Sequence, residues 1–199
     1  MMNAKQAQQK LINGNQRFVN NQSLRSDFAP KQDFVKPQKP FAVVLGCSDS
    51  RVPIETIFDQ SFGDLFIIRI AGNIVAPSQI GSVEFAVSLF QTPLVIVLGH
   101  THCGAVSAAI DAHIKQDDIS SGVHSIVKRI EPIVDKLADK NYEHSDLVCR
   151  VADANIRQSV QQLQDSSAII NTAIAEHKLK IVGAKYILKT GEVTFFEPE

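Results

Sequence analysis

The sequence lacks tryptophan altogether and has only three cysteines among its 199 residues. An odd number of cysteines cannot form a full set of disulfides and suits a reducing compartment, so we expect a cytoplasmic protein. No apolar run approaches the roughly 20 residues that a membrane-spanning helix needs, and the polar segment 1–22 has no apolar region typical of a secretory signal. The 20 basic and 21 acidic residues nearly cancel. We therefore expect neither a nucleic acid nor a membrane as partner.

Two strongly apolar runs each end in side chains that bind soft metal ions. Residues 41–46 lead directly into Cys47, and residues 94–99 lead into His100 and Cys103. Each run is short, ends in glycine and reads as a buried strand. Open α/β sheets bind ligands at the carboxyl ends of their strands. We therefore expect the three side chains to meet at one edge of a sheet.

Two thiolates and one imidazole are a donor set that selects zinc over magnesium or calcium. Three protein ligands leave one position of a zinc tetrahedron open, which is the arrangement of a catalytic site. A zinc-bound water ionises near neutral pH and becomes a nucleophile. Asp49 follows Cys47 closely and is the candidate for a fourth ligand, in which case the site would be closed and purely structural. A redox pair is disfavoured because the chain has no C-x-x-C.

Five segments together carry a resemblance to one family. They are C-S-D-S-R at 47–51, H-T-H-C-G at 100–104, R-I-A-G-N at 69–73, G-S-V-E-F-A-V at 81–87 and L-K-I-V-G-A at 179–184. With this spacing the chain resembles a β-class carbonic anhydrase from about residue 11 to residue 196. The resemblance implies an enzyme with one zinc ion per chain, which hydrates carbon dioxide reversibly to bicarbonate and a proton by attack of a zinc-bound hydroxide.

The resemblance also implies roles for residues around the metal ligands. Asp49, held by Arg51, would accept a hydrogen bond from the hydroxide and orient it toward carbon dioxide. With that pair broken, Asp49 would swing onto zinc and block the water site, as it does in some members. The lack of tryptophan argues against the bicarbonate-regulated form of the family, whose members typically carry one near the dimer interface.

The family places further residues in a substrate pocket. Gln38 would donate its amide to bicarbonate, Phe66 and Ala71 match an apolar wall, and Phe85 stands where many members have tyrosine, so a hydroxyl is missing. Gly104 begins a predicted helix, and its amide is a candidate for binding an anion.

The apolar pattern predicts an α/β fold with helices on both faces of a central, mostly parallel sheet, about four parallel strands plus an antiparallel edge strand. The predicted strands are 41–46, 64–70, 94–99 and 179–189, then a turn at 190–191 and the antiparallel strand 192–196. The predicted helices are 4–19, 53–58, 78–90, 104–113, 120–137 (with Pro132 as a break or kink), 145–164 and 166–177.

We expect a single domain, in which 1–40 form an N-terminal arm helix and a proline-containing linker and 41–199 form the α/β core. The apolar side of helix 4–19 is expected to cover another surface, with a second subunit as one candidate. The resemblance implies dimers whose sheets extend across the interface and whose N-terminal helices embrace the partner. Tetramers are also common in the family, so a homodimer or homotetramer is expected.

The sequence leaves several alternatives open. One alternative is a related hydrolase of another heterocumulene such as carbon disulfide, and another is a non-catalytic zinc-binding scaffold. Cys149 lies in an apolar helical pattern and is predicted to be an inert buried thiol. His102 is predicted to face solvent, with proton transfer as the alternative. Glu84 is one candidate partner for Arg69.

Overall fold

The computed structural model describes residues 2–24, 35–115, 119–138 and 142–196. The middle of the predicted linker, including Pro30, lies outside the described residues. The helices are α1 (Ala4–Val19), α2 (Ile54–Ile57), α3 (Pro77–Phe90), α4 (Gly104–Lys115), α5 (Ser121–Ala138), α6 (His144–Asp165) and α7 (Ala168–Ala175). The strands are β1 (Ala42–Gly46), β2 (Leu65–Arg69), β3 (Leu94–His100), β4 (Lys180–Tyr186) and β5 (Val193–Phe195), and a 3₁₀ turn (Ala71–Asn73) follows β2.

The strands form one five-stranded sheet in the order β2-β1-β3-β4-β5. β1 to β4 run parallel, and β5 pairs antiparallel with β4. The predicted α/β fold is therefore confirmed. The central strands β1 and β3 are buried along their whole length, which explains why they read as continuous apolar runs rather than alternating ones.

Each face of the sheet carries its own apolar cluster. One face packs Val44 and Ile96 against α1 and α2. The other packs Val43 and Val97 against α3, α6 and α7. A third cluster, built by α4, α5 and α6, encloses Cys47 at the end of the sheet. The carboxyl edge of the sheet is thus walled by apolar side chains.

β4 ends earlier than predicted. Ile187 and Leu188 continue the apolar pattern, but the chain already turns there, because the amides of Thr190 and Gly191 both donate to the carbonyl of Ile187. Gly191, with φ of 79°, completes the turn in a conformation that suits glycine. Pro132, predicted as a break or kink, lies inside the continuous helix α5.

α1 is a helix with the predicted bounds, and a capping box between Asn3 and Gln6 starts it. Its apolar residues Ala7 and Leu11 pack into the cluster beside α2. These two residues are therefore buried against the helix's own chain, and contact of α1 with a second subunit remains a prediction. The division of the chain at residue 40 remains a prediction.

Three residues fix the second half of α1. A Cβ at Gly14 would come within 1.8 Å of the carbonyl oxygen of Phe58, so the helix approaches the backbone closely there. Asn15 donates to the carbonyls of Ile57 and Gly191 and accepts from the amide of Val193. Arg17 forms an ion pair of 2.6 Å with the fully buried carboxylate of Asp59.

None of the helices in the described part of the chain combines the length and the apolar character that a membrane-spanning helix requires.

Candidate metal centre

Three side chains from two neighbouring strands meet at the carboxyl edge of the sheet. Cys47 follows β1 directly, His100 is the last residue of β3, and Cys103 precedes α4. Because β1 and β3 pair in parallel with Gly46 opposite Leu98, their ends lie side by side. One ligand atom from each of the three side chains lies within 4.8 Å of the other two, and all three side chains are buried. This is the juxtaposition that the sequence predicts.

The His100 ring is oriented for metal binding. Its Nδ1 lies 2.9 Å from the carbonyl oxygen of Thr101, which fixes a proton on that nitrogen. Its Nε2 is buried and has no hydrogen-bond partner among the described residues. A buried nitrogen without a partner is costly unless something binds it. Together with two thiol sulfurs, it forms a donor set that fits zinc.

The two cysteines share a proton. The Cys103 thiol donates to Cys47 and, against the opposing effect of burial, lowers the pKa of Cys47 to about 4. The amides of Gly72 and Asp49 add weaker hydrogen bonds to the Cys47 sulfur, at 3.3 and 3.4 Å. The same contact, reinforced by burial, raises the pKa of Cys103 above its usual range. The hydrogen bond between the two sulfurs therefore favours the thiolate form of Cys47 and the thiol form of Cys103.

Asp49 and Arg51 form a two-point ion pair beside the ligands. Arg51 donates from Nε to Asp49 Oδ1 at 2.9 Å and from Nη2 to Oδ2 at 2.8 Å. This fork-to-carboxylate contact holds the pKa of Asp49 well below its usual range. Nη2 also donates to the carbonyl of His102 at 3.2 Å. Arg51 therefore ties the loop after β1 to the loop after β3.

Arg69 fixes the same loop from the other side. Its Nε donates to the carbonyl of Cys47 at 3.0 Å, and its Nη2 donates to the carbonyl of Asp49 at 2.6 Å. Glu84, the candidate partner from the sequence, instead accepts from the Ser167 hydroxyl. The sequence did not predict that Arg69 binds the loop after β1, because hydrogen bonds to backbone carbonyls leave no pattern of residue types.

Comparison with known proteins decides the family. Residues 42–193 match the family model described as carbonic anhydrase. A carbonic anhydrase of Mycolicibacterium smegmatis is 37% identical over 92% of this chain and 88% of that protein. The chain belongs to the β-carbonic anhydrase family. The family's reaction, reversible hydration of carbon dioxide to bicarbonate and a proton, is the reaction of this enzyme.

Solved β-carbonic anhydrase structures share the fold. The structure of CcaA superposes with a TM-score of 0.77 and 28% identity, covering 96% of this chain and 95% of that one. A tetrameric β-carbonic anhydrase from Sordaria macrospora gives a TM-score of 0.74 at 25% identity, over 81% of this chain and 83% of that one.

The other residues that the family resemblance singles out lie at varied distances from the ligands. Ala71 is next to Gly72, whose amide reaches Cys47, and Gly104 begins α4 immediately after Cys103. Phe66 lies three positions before Arg69 on β2, which at about 3.3 Å per residue is about 10 Å short of the edge. Phe85 stacks on Phe66 at 6.2 Å. Their roles as substrate-pocket residues remain predictions.

Gln38 is exposed and precedes the amino end of β1, whereas Cys47 follows its carboxyl end. The five residues of β1 separate these two ends by about 17 Å. Within one chain, therefore, Gln38 does not line the metal centre.

The prediction for Cys149 is wrong. Its thiol is exposed, whereas the other two cysteines are buried. The buried stripe of α6 passes through Val148 and Val151, and Cys149 falls on the outer side of the helix. His102, by contrast, is exposed as expected and has φ of 56°.

Proposed function

We propose that this carbonic anhydrase works with one zinc ion per chain, held by Cys47, His100 and Cys103. The observation that carries the proposal is the convergence of three buried ligand atoms within 4.8 Å beside a carboxylate held at two points by Arg51. Zinc bound there would make a coordinated water acidic enough to act as a nucleophile near neutral pH.

Asp49 has the geometry of an orienting acceptor. Its Oδ2 lies 3.9 Å from His100 Nε2, the nitrogen that faces the metal position. Because Arg51 keeps its pKa low, the carboxylate stays ionised and can only accept hydrogen bonds at neutral pH. Both of its oxygens are engaged by Arg51. This supports the open arrangement, in which Asp49 positions the nucleophile, over one in which it is the fourth ligand.

The substrate pocket is proposed to be completed by a second copy of the chain. Gln38 lies far from the metal ligands of its own chain, and Phe66 and Phe85 lie back from the edge on the outermost strand and on α3. If these residues serve the reaction as the family resemblance implies, Gln38 at least must reach the metal centre of a partner.

A surface suited to that partner is present. β2 is an outer strand of the sheet, and α3 beside it exposes 50% of Phe85 and 62% of Leu89. An unpaired strand edge next to exposed apolar side chains is typical of an interface. We name this surface, formed by β2, Phe85 and Leu89, the β2–α3 face. A homodimer through it, or a homotetramer like the one described for the Sordaria macrospora enzyme, is the proposed assembly.

We also propose a cytoplasmic location. All three cysteines are free thiols, and a buried thiol pair that must remain reduced to bind metal suits a reducing compartment. Of the alternative functions, the non-catalytic scaffold is disfavoured by the Asp49–Arg51 pair. No contact among the described residues favours another heterocumulene over carbon dioxide.

The test is stopped-flow carbon dioxide hydration with a pH indicator on protein of measured zinc content. We expect one zinc per chain and fast hydration. Cys103→Ser should lose zinc and activity together, whereas Cys149→Ser, an exposed cysteine away from the site, should keep both. Full zinc content and normal hydration in Cys103→Ser would refute the ligand assignment.

A further inference from the structure

The 3₁₀ turn Ala71–Asn73 holds a left-handed backbone conformation directly against Cys47, the proposed metal ligand. Gly72 has φ of 70° and Asn73 has φ of 44°, so two successive residues are left-handed. A Cβ at Gly72 would lie 3.0 Å from Ile130 Cδ1 and 3.1 Å from Ala105 Cβ, so the turn is also tightly enclosed. Glycine adopts this conformation freely, whereas at Asn73 it has a cost that the surroundings must offset. The result is that the Gly72 amide donates to Cys47 Sγ at 3.3 Å.

Two side chains of α6 hold this turn. Asn155 Nδ2 donates to the carbonyl of Gly72 at 2.7 Å, and Ser159 Oγ donates to the carbonyl of Asn73 at 3.2 Å. The two residues are one helical turn apart and thus share a face of α6. We call this pair the α6 clamp.

The clamp occupies positions where apolar residues would be expected. Asn155 and Ser159 are only 2% and 1% exposed, and their neighbours on the buried stripe of α6 include Val151, Ile156 and Leu163. A buried polar side chain lowers stability unless its hydrogen bonds are made. The bonds that these two side chains make as donors end on the 3₁₀ turn. Their placement is thus accounted for by the turn they hold.

An amide that donates to a thiolate draws electron density from the sulfur. The orientation of Gly72 therefore affects how strongly Cys47 donates to a bound metal, and it also fixes where the sulfur lies. Removing a residue that holds a metal ligand in place without contacting the metal typically lowers metal affinity by about 10- to 100-fold.

We propose that Asn155 and Ser159 are positioning residues for the metal centre, which act on Cys47 through the Gly72 amide. The inference rests on the proposed role of Cys47 as a zinc ligand. It assigns the α6 clamp the task of setting the affinity of the site and the electron donation from one of its two thiolates.

The test uses cobalt-substituted protein, because cobalt bound by thiolate has a charge-transfer absorption whose energy reports the electron density on sulfur. Asn155→Leu removes the donor at similar volume. We expect its charge-transfer band to move to longer wavelength and its zinc dissociation constant, measured by competition with a chelator, to rise by about 10-fold or more. Ser159→Ala should move both quantities in the same direction by less, because it releases the residue after Gly72.

The control for lost stability is Leu163→Ala. Leu163 lies one turn beyond Ser159 on the same helix, and it is fully buried in the cluster facing the sheet. Truncating it should lower the free energy of unfolding and leave the cobalt band and the zinc affinity unchanged.

Two results would overturn the proposal. One is a wild-type band position and zinc affinity in both Asn155→Leu and Ser159→Ala. The other is an equal change in Leu163→Ala, since the effect would then follow global stability. If Asn155→Leu does not fold, the comparison of Ser159→Ala with Leu163→Ala decides. A wild-type protein without any thiolate-to-cobalt band would instead refute the ligand assignment itself.

Discussion

At the scale of single residues, the contacts of Arg51 require the planar shape of its guanidinium group as well as its positive charge. It contacts both oxygens of Asp49 and also the carbonyl of His102. A lysine keeps the charge but has no planar fork with which to make these contacts together. We expect Arg51→Lys to retain zinc and to lower kcat by roughly 10-fold. Metal analysis and stopped-flow hydration on the same samples measure both quantities.

A surface arginine provides the control for this substitution. Arg150 pairs with Asp146 at 2.8 Å on the exposed side of α6. Arg150→Lys should leave kcat unchanged. Wild-type turnover in Arg51→Lys would contradict the prediction, because it would show that a positive charge beside Asp49 is sufficient for full activity.

The shared proton of the cysteine pair also has a measurable consequence. The hydrogen bond from the Cys103 thiol lowers the pKa of Cys47, whereas the pKa of Cys103 is raised. Both sulfurs must be thiolates in a zinc site. Zinc binding at pH 7 should therefore release about one proton from this pair rather than two. Calorimetric titration in buffers of different ionisation enthalpy counts the protons, and release of two would show that Cys47 is protonated in the free protein.

The clustering of Cys47, His100 and Cys103 could be read from the sequence because all three lie at or just beyond the ends of apolar strands, and the carboxyl ends of parallel strands meet. The sequence did not predict the roles of three further residues, Arg69, Asn155 and Ser159. Arg69 binds carbonyls 20 and 22 positions away, and Asn155 binds one 83 positions away. Backbone carbonyls are the same in every residue, so such contacts carry no signature. The sequence did carry one sign of the α6 clamp, since Asn155 and Ser159 are a polar pair at i and i+4 within the apolar stripe of α6.

At the scale of elements, one buried charge contributes to holding α1 against the segment that follows α2. Asp59 accepts hydrogen bonds from Arg17, Ser23 and the amide of Leu24. Burial acts to raise its pKa, but these hydrogen bonds outweigh burial, and the net pKa lies below the usual value. The carboxylate therefore stabilises the fold at pH values above its unfolded pKa of about 4, and this stabilisation is lost as the pH falls through the lower folded value.

We accordingly expect Asp59→Asn to lower the free energy of unfolding by about 1–3 kcal/mol at pH 7. The difference from wild type should stay constant down to about pH 5 and shrink below about pH 4. Urea unfolding at a series of pH values measures it. The exposed Asp165, substituted in the same way, should change stability by less than about 0.5 kcal/mol at any pH, and a pH-independent loss in Asp59→Asn would contradict the role of its charge.

Element positions were predictable where apolar residues mark a buried face, as in β1, β3 and α6. The ends of the elements were less predictable than their positions. Leu188 is apolar, yet it lies in a turn, and its amide donates to the Thr101 hydroxyl rather than to a neighbouring strand. The surface covered by α1 was also not readable, since an amphipathic pattern indicates burial without naming the partner.

At the scale of the whole molecule, the β2–α3 face should control assembly. Phe85→Glu places a charge among apolar side chains, which should raise the dimer dissociation constant by at least about 30-fold if Phe85 is a central contact. Val123→Glu is the matched control, because Val123 is similarly exposed at 45% but lies on α5. Light scattering over a concentration series gives the mass of each. An unchanged mass in Phe85→Glu would place the interface elsewhere.

The contacts of Asn15 bear on the order in which the protein can fold during its synthesis. α1 is made before the strands of the sheet, but Asn15 bonds to Gly191 and Val193, which are 176 and 178 positions later. Translation adds about 5–20 residues per second, so these two bonds of Asn15 form roughly ten seconds or more after the helix has been made. The apolar residues Ala7 and Leu11 can pack beside α2 well before then, whereas the polar attachment at Asn15 waits for the hairpin between β4 and β5.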